Sequence, residues 1–282
     1  MNTNVAASIQ QRLLNLAHST GQDFQRILDQ FVLERVVYRL SQSEHRALFV
    51  LKGAALYYLS GTRSPRPTRD LDLMAQSEAS LDAMETIFRE ICAVACPEDG
   101  LSFDPLAVHA KRIRETNRYQ GVRMILRGTL GTARLTLQVD VGFGDAISPQ
   151  ALETHFPSML GLSGAVVLAY RWETVVAEKC EAMVVLGMAN TRMKDFFDIW
   201  HLVRTDALDQ VLLKQALRAT FNRRGTPWPV ELPDAMSARF SQDPQKALQW
   251  LGFLRKSGID PGPELPEVID AIRSFLWPHF HG

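Results

Sequence analysis

Apolar residues recur at helical spacing at the start of the chain and again through most of its second half. Residues 5–17 and 23–40 place an apolar side chain every three or four positions, as an amphipathic helix requires. Residues 80–95 repeat the pattern. Five later stretches do the same: 172–187, 191–203, 207–221, 244–256 and 264–276. This spacing predicts two helices at the start, one near residue 90 and an all-helical second half.

Shorter apolar or alternating runs between these helices predict strands. They cover residues 48–51, 70–74, 101–108, 121–130 and 133–143, and glycine-containing turns separate the last three. Residues 128–131 predict a turn between two antiparallel strands, and Pro149 is expected to open a short helix. The chain is therefore predicted to be α+β, with an α/β domain at residues 1–164 and a helical domain at 165–282.

Composition narrows the class of protein. The 282 residues are 46% apolar, and 31 basic residues balance 31 acidic ones, so only a local patch would attract nucleic acid. Three cysteines, Cys92, Cys96 and Cys180, lack the spacing of a zinc site, which favours buried free thiols in a reducing cytoplasm. The first residues lack an apolar signal core, and the longest apolar run is too short for a membrane span. A soluble, cytoplasmic protein is expected.

Residues 49–75 contain the first candidate site. The apolar run ends at Lys52-Gly53, and a glycine that opens a helix after a strand leaves backbone N–H groups available for a phosphate. In the next predicted strand, Asp70 and Asp72 point to one face because side chains alternate. Two carboxylates on one face repel each other unless a cation lies between them. These features together predict a metal–nucleotide site.

Asp140 is a third candidate carboxylate. It lies between Val139 and Val141 in a predicted strand, where a buried acid is costly unless it is paired or bound to a metal. By itself it fits a residue at the end of a strand equally well, and the Asp70–Asp72 pair alone is also compatible with a structural role. Three carboxylates on neighbouring strands are, however, what two Mg²⁺ ions need for phosphoryl chemistry. The ordered set of Gly53 and the three acids therefore favours function.

The helical half holds a second polar cluster. Lys179 lies at the edge of an apolar stripe, and a dense run of charges extends from Arg192 to Asp198. One interpretation is a lysine that covers core surface, together with ordinary exposed pairs at i,i+3 spacing. The other is that a lysine and an arginine contact nucleotide phosphates, since a triphosphate brings roughly four negative charges.

A basic stretch follows the acidic residues. Between residues 111 and 134 there are seven basic residues and one acid, Glu115. The basic residues are Lys111, Arg112, Arg114, Arg118, Arg123, Arg127 and Arg134. A solvated sheet face is the commoner explanation. The functional alternative is a track for the RNA phosphate backbone, which Arg63, Arg66 and Arg69 would extend.

Several motifs, taken in order, resemble the AbiEii/AbiGii toxin family of nucleotidyltransferases over residues 5 to about 205. They are Glu34-Arg35, Tyr38-Arg39-Leu40-Ser41, Lys52-Gly53, Arg69-Asp70-Leu71-Asp72, Val139-Asp140-Val141, residues 168–179 and Arg192-x-Lys194-Asp195-x-x-Asp198. The resemblance implies a polymerase-β-like nucleotidyltransferase core, a mixed sheet with flanking helices, and a C-terminal all-helical lobe. Gly53-Ala54 stands where the wider superfamily has Gly-Ser or Gly-Gly.

The resemblance also implies a function. Members are toxins of toxin–antitoxin or abortive-infection systems, each with an antitoxin encoded alongside, and some add nucleotides to tRNA 3′ ends and block translation. A Mg²⁺-dependent enzyme that uses a nucleoside triphosphate and an RNA acceptor, expected to be tRNA, follows from this likeness. Two alternatives stay open: transfer to a protein or small-molecule hydroxyl, and a non-catalytic binding partner.

Residue roles follow from the same likeness. Asp70, Asp72 and Asp140 would hold the metals, and Asp140 would also act as the base. Lys179 and Asp195 would match the family's essential lysine and acid. The residues expected to contact the nucleotide are Lys52, Gly53, Arg69, Lys179, Arg192 and Lys194.

Overall fold

The computed structural model describes residues 3–60, 65–114 and 120–281. The chain forms two compact units. The first takes in Met1–Gly144 and Leu152–Ala169, and the second takes in Asp145–Ala151 and Tyr170–Gly282. The short segment that follows the strand carrying Asp140 therefore belongs to the second unit.

The first unit combines a sheet with three helices. The helices are α1 (Thr3–Thr20), α2 (Phe24–Gln42) and α3 (Leu81–Ala93). The strands are β1 (Phe49–Lys52), β2 (Asp70–Ala75), β3 (Leu101–Phe103), β4 (His109–Arg114), β5 (Gln120–Leu130), β6 (Ala133–Phe143), β7 (Leu152–Phe156) and β8 (Ala165–Ala169). A 3₁₀ helix, Gly53–Ser60, follows β1 directly. Side chains of Asp23 and Ser80 cap the N-termini of α2 and α3, which explains where these helices begin.

Eight strands form one mixed sheet; seven of them follow the order β3-β5-β6-β2-β1-β8-β7, and β4 lies off this path. Strands β2 and β6 run parallel, as do β1 and β8, and the other pairs are antiparallel. Strand β4 pairs with the first half of β5, and β3 pairs with its end. The fold predicted from the sequence, a mixed sheet with flanking helices followed by a helical region, is confirmed.

The two faces of the central strands differ in polarity. Leu71, Leu73, Val139 and Val141 are at most 1% exposed, and they form a continuous apolar face. Helix α2, whose Phe31 is fully buried, packs against this sheet. Asp70 and Asp72 of β2 and Gln138 and Asp140 of β6 lie on the opposite face, as expected for a sheet with one face against the core. That polar face carries the candidate site.

A buried ion cluster ties α2 to the segment after α3. Arg39 donates hydrogen bonds to both oxygens of Asp99 at 2.6 and 3.2 Å, and Arg35 donates to Asp99 at 3.1 Å. All three residues are nearly inaccessible to solvent, so each charge needs the others. The Arg35 guanidinium also contacts the Cys96 sulfur at 2.9 Å. Cys92, Cys96 and Cys180 are buried and unbridged, as predicted.

The second unit is helical. Its helices are α4 (Trp172–Leu186), α5 (Met193–Arg204), α6 (Gln210–Arg224), α7 (Ala238–Ser241), α8 (Pro244–Ser257) and α9 (Leu265–Leu276). Asp209 and Asp243 cap α6 and α8, and Gly225 and Gly258 end them in the left-handed conformation. These signals explain why the prediction from apolar spacing is accurate here.

Some local predictions are wrong. Residues 101–108 were predicted as one strand, but the strand ends at Phe103 and a 3₁₀ helix, Pro105–Ala107, follows it. Pro149 does not open a helix; Leu152–Phe156 and Ala165–Ala169 form an antiparallel pair of strands, and the second also pairs with β1 in parallel. Each of these strands has five residues, and the second depends on pairing with β1, which is distant in the chain. No helix within the described residues is long and apolar enough to cross a membrane.

Candidate active site

A row of charged residues crosses the polar face of the sheet at one register. From strand to strand, the residues that pair with one another are Lys52, Asp72, Asp140, Arg123 and Lys111. Directly opposed residues of neighbouring strands project from the same face. The two carboxylates therefore lie side by side, with a cation on β1 to one side and cations on β5 and β4 to the other.

Asp70 adds a third carboxylate to this row. It precedes Asp72 by two positions in β2, so both side chains leave the same face, and Asp70 is exposed whereas Asp72 is half-buried. Three acids from two strands are thus brought together on one face, as the alternation predicts for Asp70 and Asp72. Their mutual repulsion makes this face attractive to cations.

Asp140 is held by Arg123. The Arg123 Nε donates to Asp140 Oδ1 at 2.8 Å and its Nη2 donates to Oδ2 at 2.7 Å, so the fork of the guanidinium engages both oxygens. These hydrogen bonds raise the pKa of Arg123 above its ordinary value, and the charges of Asp70 and Asp72 contribute in the same direction. Arg123 was expected to be part of the basic stretch; its role as the partner of Asp140 was not predicted.

Gly53 lies against the carboxylate of Asp72. Its φ is +69°, and a Cβ built on it would fall 2.1 Å from Asp72 Oδ2. Both the backbone conformation and the close approach therefore require glycine at this position. The junction of β1 and the 3₁₀ helix is shaped around the acidic row.

Replacing Gly53 with alanine is expected to destabilise the protein by about 1–3 kcal/mol. The new methyl group must displace the Asp72 side chain, and alanine is strained at the positive φ of this position. Thermal unfolding measures this loss of stability. Gly21→Ala is the matched control: Gly21 has φ +63° and nothing within 4 Å of its added Cβ, so it incurs the backbone cost alone. Equal effects of the two variants would contradict the close approach to Asp72.

Among the described residues, one set of three potential metal ligands converges, and it lies away from the acidic row. The one set of three such side chains with ligand atoms within 4.8 Å of one another is Glu44, His45 and Glu90, near the end of α2 and in α3. Two of these residues are exposed, and His45 Nε2 lies 2.5 Å from Glu90 Oε2. Asp70, Asp72 and Asp140 share a face without that degree of convergence, and both Asp140 oxygens accept hydrogen bonds from Arg123.

The second unit contains the other predicted cluster. The Lys179 ammonium contacts Asp195 and lies 2.9 Å from Asp198, and Arg192 Nε donates to Asp195 at 2.5 Å. The side chains of Asp195 and Asp198 are 1% and 2% exposed. Burial by itself raises the pKa of Asp195, but the charges of Lys179 and Arg192 outweigh it and hold that pKa well below its usual value. Lys179 thus joins two buried acids.

A neighbouring ion cluster in the same unit was not predicted. Arg224 donates to both oxygens of Asp145 at 2.9 Å and to Glu181 at 2.8 Å, and Thr226 donates to the other oxygen of Glu181. Burial lowers the pKa of Arg224, but these carboxylates outweigh it and raise that pKa. The acids Glu178 and Glu181, one turn apart on α4, were the signal in the sequence.

The other predicted nucleotide or RNA contacts differ in exposure. Arg69 is largely exposed and lies 3.3 Å from Asp29 on α2, and Lys194 is exposed on α5. Lys111, Arg127 and Arg134 are exposed on the face that carries the acids. Arg63, Glu115, Arg118 and the side chain of Arg114 lie outside the described residues.

Comparison with known proteins decides the family. The family model described as "Nucleotidyl transferase AbiEii toxin, Type IV TA system" matches residues 35–274, most of the chain. The chain belongs to the AbiEii family. Membership indicates a transferase that uses a nucleoside triphosphate, and a toxin that has an antitoxin partner. The resemblance inferred from the ordered motifs is confirmed.

One solved structure has the same fold. JHP933 from Helicobacter pylori is 15% identical, with a TM-score of 0.53 over 92% of this chain and 93% of that chain. A second H. pylori protein is 17% identical, with a TM-score of 0.49 over 90% and 94% of the two chains. The comparison with curated proteins gave no match. The AbiEii protein thus shares its fold with JHP933 along nearly its whole length.

Proposed function

We propose that this AbiEii protein is a Mg²⁺-dependent enzyme that transfers a nucleotide to an RNA hydroxyl, with the tRNA 3′ end as acceptor and a block of translation as the consequence. The observation that carries the proposal is the juxtaposition of Asp72 and Asp140 on β2 and β6, with Asp70 on the same face. Neighbouring carboxylates on an open sheet face are suited to divalent cations, since carboxylate oxygens are the ligands that Mg²⁺ prefers.

The donor set fits Mg²⁺. Asp70, Asp72 and Asp140 are the residues that would hold it, and Gly53 lets the backbone approach the Asp72 carboxylate closely. Bound there, the ion would neutralise charge on the triphosphate and polarise the phosphate under attack. The carboxylates would supply the fixed charge that positions it.

The proposed reaction requires a proton acceptor and a set of triphosphate contacts from the chain. The acceptor hydroxyl attacks the α-phosphate, a new O–P bond forms, the α–β phosphoanhydride bond breaks and pyrophosphate leaves. Asp140 is the proposed acceptor of the hydroxyl proton. Lys52, Gly53 and Arg69 are the proposed triphosphate contacts on the first unit. Positioning and electrostatics dominate catalysis of this kind.

The helical unit, considered by itself, has three proposed phosphate ligands, Lys179, Arg192 and Lys194. Arg192 and Lys194 are the more accessible of these cations. Lys179 holds Asp195, which in turn holds Arg192, so its contribution includes the orientation of the arginine. This arrangement supports charge neutralisation through a connected set of side chains rather than through one residue.

Basic residues on the sheet support RNA as the acceptor. Lys111, Arg127 and Arg134 are exposed on the same face as Asp140. Exposed lysine and arginine side chains on one face bind the phosphate backbone of RNA, and such contacts do not depend on the base sequence. The balanced net charge of the chain fits an enzyme that grips one RNA end rather than a long duplex.

Incubation with each α-labelled triphosphate, Mg²⁺ and total RNA, followed by a denaturing gel, tests the proposal. We expect a labelled band of tRNA size that disappears when EDTA removes the metal. Parallel reactions with total protein or small hydroxyl compounds test the alternative acceptors. Label in those reactions alone would overturn the RNA assignment. No transfer, together with no Mg²⁺-dependent shift in melting temperature with any triphosphate, would favour a non-catalytic binding partner.

A further inference from the structure

The bond between Arg123 and Asp140 uses the same atoms that a divalent ion would need. Both carboxylate oxygens of Asp140 accept from the guanidinium, at 2.8 and 2.7 Å. Neither side chain is deeply buried: Asp140 is 13% exposed and Arg123 is 29% exposed. An ion pair at the edge of solvent can open without disturbing the apolar core on the other face of the sheet.

Asp140 therefore has two competing cation positions. Arg123 lies beside it on β5, and Asp72 lies beside it on β2, so a cation between the two carboxylates would draw Asp140 in the opposite direction. A guanidinium that engages both oxygens orients the Asp140 carboxylate toward β5, and its positive charge opposes the approach of a second cation, so Arg123 and a divalent ion compete for Asp140. The register of the sheet fixes both neighbours.

We propose that Arg123 is a latch that competes with the divalent ion for Asp140 and must release this carboxylate before the site loads. The inference rests on the proposed function, since it concerns the regulation of the same site. Arg123 is a positioning residue in this account: it neutralises the acidic row until the ion arrives, and it sets the ion concentration at which the site fills.

Variants of Arg123 and Lys111 separate the specific bond between Arg123 and Asp140 from the general effect of positive charge near the site. Lys111 is the cross-strand neighbour of Arg123 on the same face, and it is exposed, so Lys111→Gln removes the same charge one strand further from Asp140. Arg123→Lys keeps the charge but lacks the planar fork that engages two oxygens. Arg123→Gln removes both.

Binding of Mn²⁺ without nucleotide, followed by electron paramagnetic resonance, tests the latch independently of activity. We expect Arg123→Gln to lower the Mn²⁺ dissociation constant about tenfold. Arg123→Lys should lower it by a smaller factor, and Lys111→Gln should change it by less than about twofold. In an Asp140→Asn background, Arg123→Gln should have no further effect, because the bond it breaks no longer involves a charged acceptor. Circular dichroism melting confirms that each variant is folded.

The two ways of failing are distinct. If the parent protein binds Mn²⁺, Asp72→Asn abolishes that binding and Arg123→Gln leaves the dissociation constant unchanged, the latch is overturned and the metal site stands. Equal tightening by Arg123→Gln and Lys111→Gln also overturns the latch, since charge alone would then explain it. If no variant binds Mn²⁺, the metal site of the proposed function is overturned as well.

Discussion

Asp72→Asn is expected to abolish nucleotide transfer while leaving the first unit folded. Asp72 lies between Lys52 and Asp140 in the charged row, and Gly53 lies against its carboxylate, so it is at the centre of the proposed site. Asparagine keeps the shape of the side chain and removes the charge that would hold the metal. We expect a loss of at least about 10²–10³-fold in the transfer rate, as for removal of one transition-state contact.

The melting temperature separates this effect from unfolding. Removing one of two adjacent carboxylates relieves repulsion, so the Asp72→Asn protein should melt no lower than the parent. Glu78→Gln, the same loss of charge at an exposed position of the first unit, should keep full activity. Transfer by Asp72→Asn at the parent rate would exclude the acidic row from catalysis.

The sequence predicted the acidic face because its signals are local. Alternation within residues 70–75 is enough to place Asp70 and Asp72 together and to bury Leu71 and Leu73, and the structure has this pattern. Helices with cap residues were likewise predicted close to their observed ends. The pairing of Asp72 with Asp140 depends instead on parallel strands separated by three other strands in the chain, and local periodicity contains no information about it.

The Arg123–Asp140 ion pair was not predicted from the sequence, because the turn that sets the register of β5 against β6 was misplaced. The turn between β5 and β6 was predicted at residues 128–131, although the strands themselves were predicted to end at residue 130 and to resume at residue 133, as they do. Counting seven residues outward from the Leu130–Ala133 pair reaches Arg123 and Asp140. A turn placed two residues earlier moves every cross-strand partner, because register follows from the turn. A two-residue Gly131-Thr132 turn was the signal in the sequence.

Strands β7 and β8 could not be read from their own residues. Each has five residues, and β8 is stabilised by parallel pairing with β1 as well as by β7. Short apolar runs such as residues 165–169 fit a strand or part of a helix equally well. Long-range pairing decided between them, so the helix expected after Pro149 was replaced by a hairpin at the sheet edge.

Lys179→Met is expected to cause a large loss of stability in the helical unit, larger than that of Lys179→Arg or Lys194→Met. Lys179 contacts both Asp195 and Asp198, whose side chains are almost completely buried. Without the ammonium, two buried carboxylates lose their shared cation, and breaking a buried pair in this way costs about 3–5 kcal/mol. Thermal unfolding at pH 7 should show a fall of roughly 6–20 °C in melting temperature.

The pH dependence distinguishes lost pairing from lost packing. In the parent, the pKa of Asp195 is lowered on folding, so its stabilisation is present above the ordinary pKa of 3.8 and is lost only as the pH falls below that value. In Lys179→Met the lowering charge is gone and burial, which raises the pKa, has less opposition. Protonation then relieves the unpaired charge, and the deficit in melting temperature should shrink between pH 7 and pH 4.5.

Two further variants complete the test. Lys194→Met removes an exposed lysine of the same unit, and its effect should stay within about 0.5 kcal/mol. Lys179→Arg keeps the charge and should recover part of the lost stability, because a cation still faces the two acids. A deficit in Lys179→Met that is unchanged between pH 7 and pH 4.5 would show that packing, rather than the pairing of Asp195 and Asp198, gives Lys179 its importance.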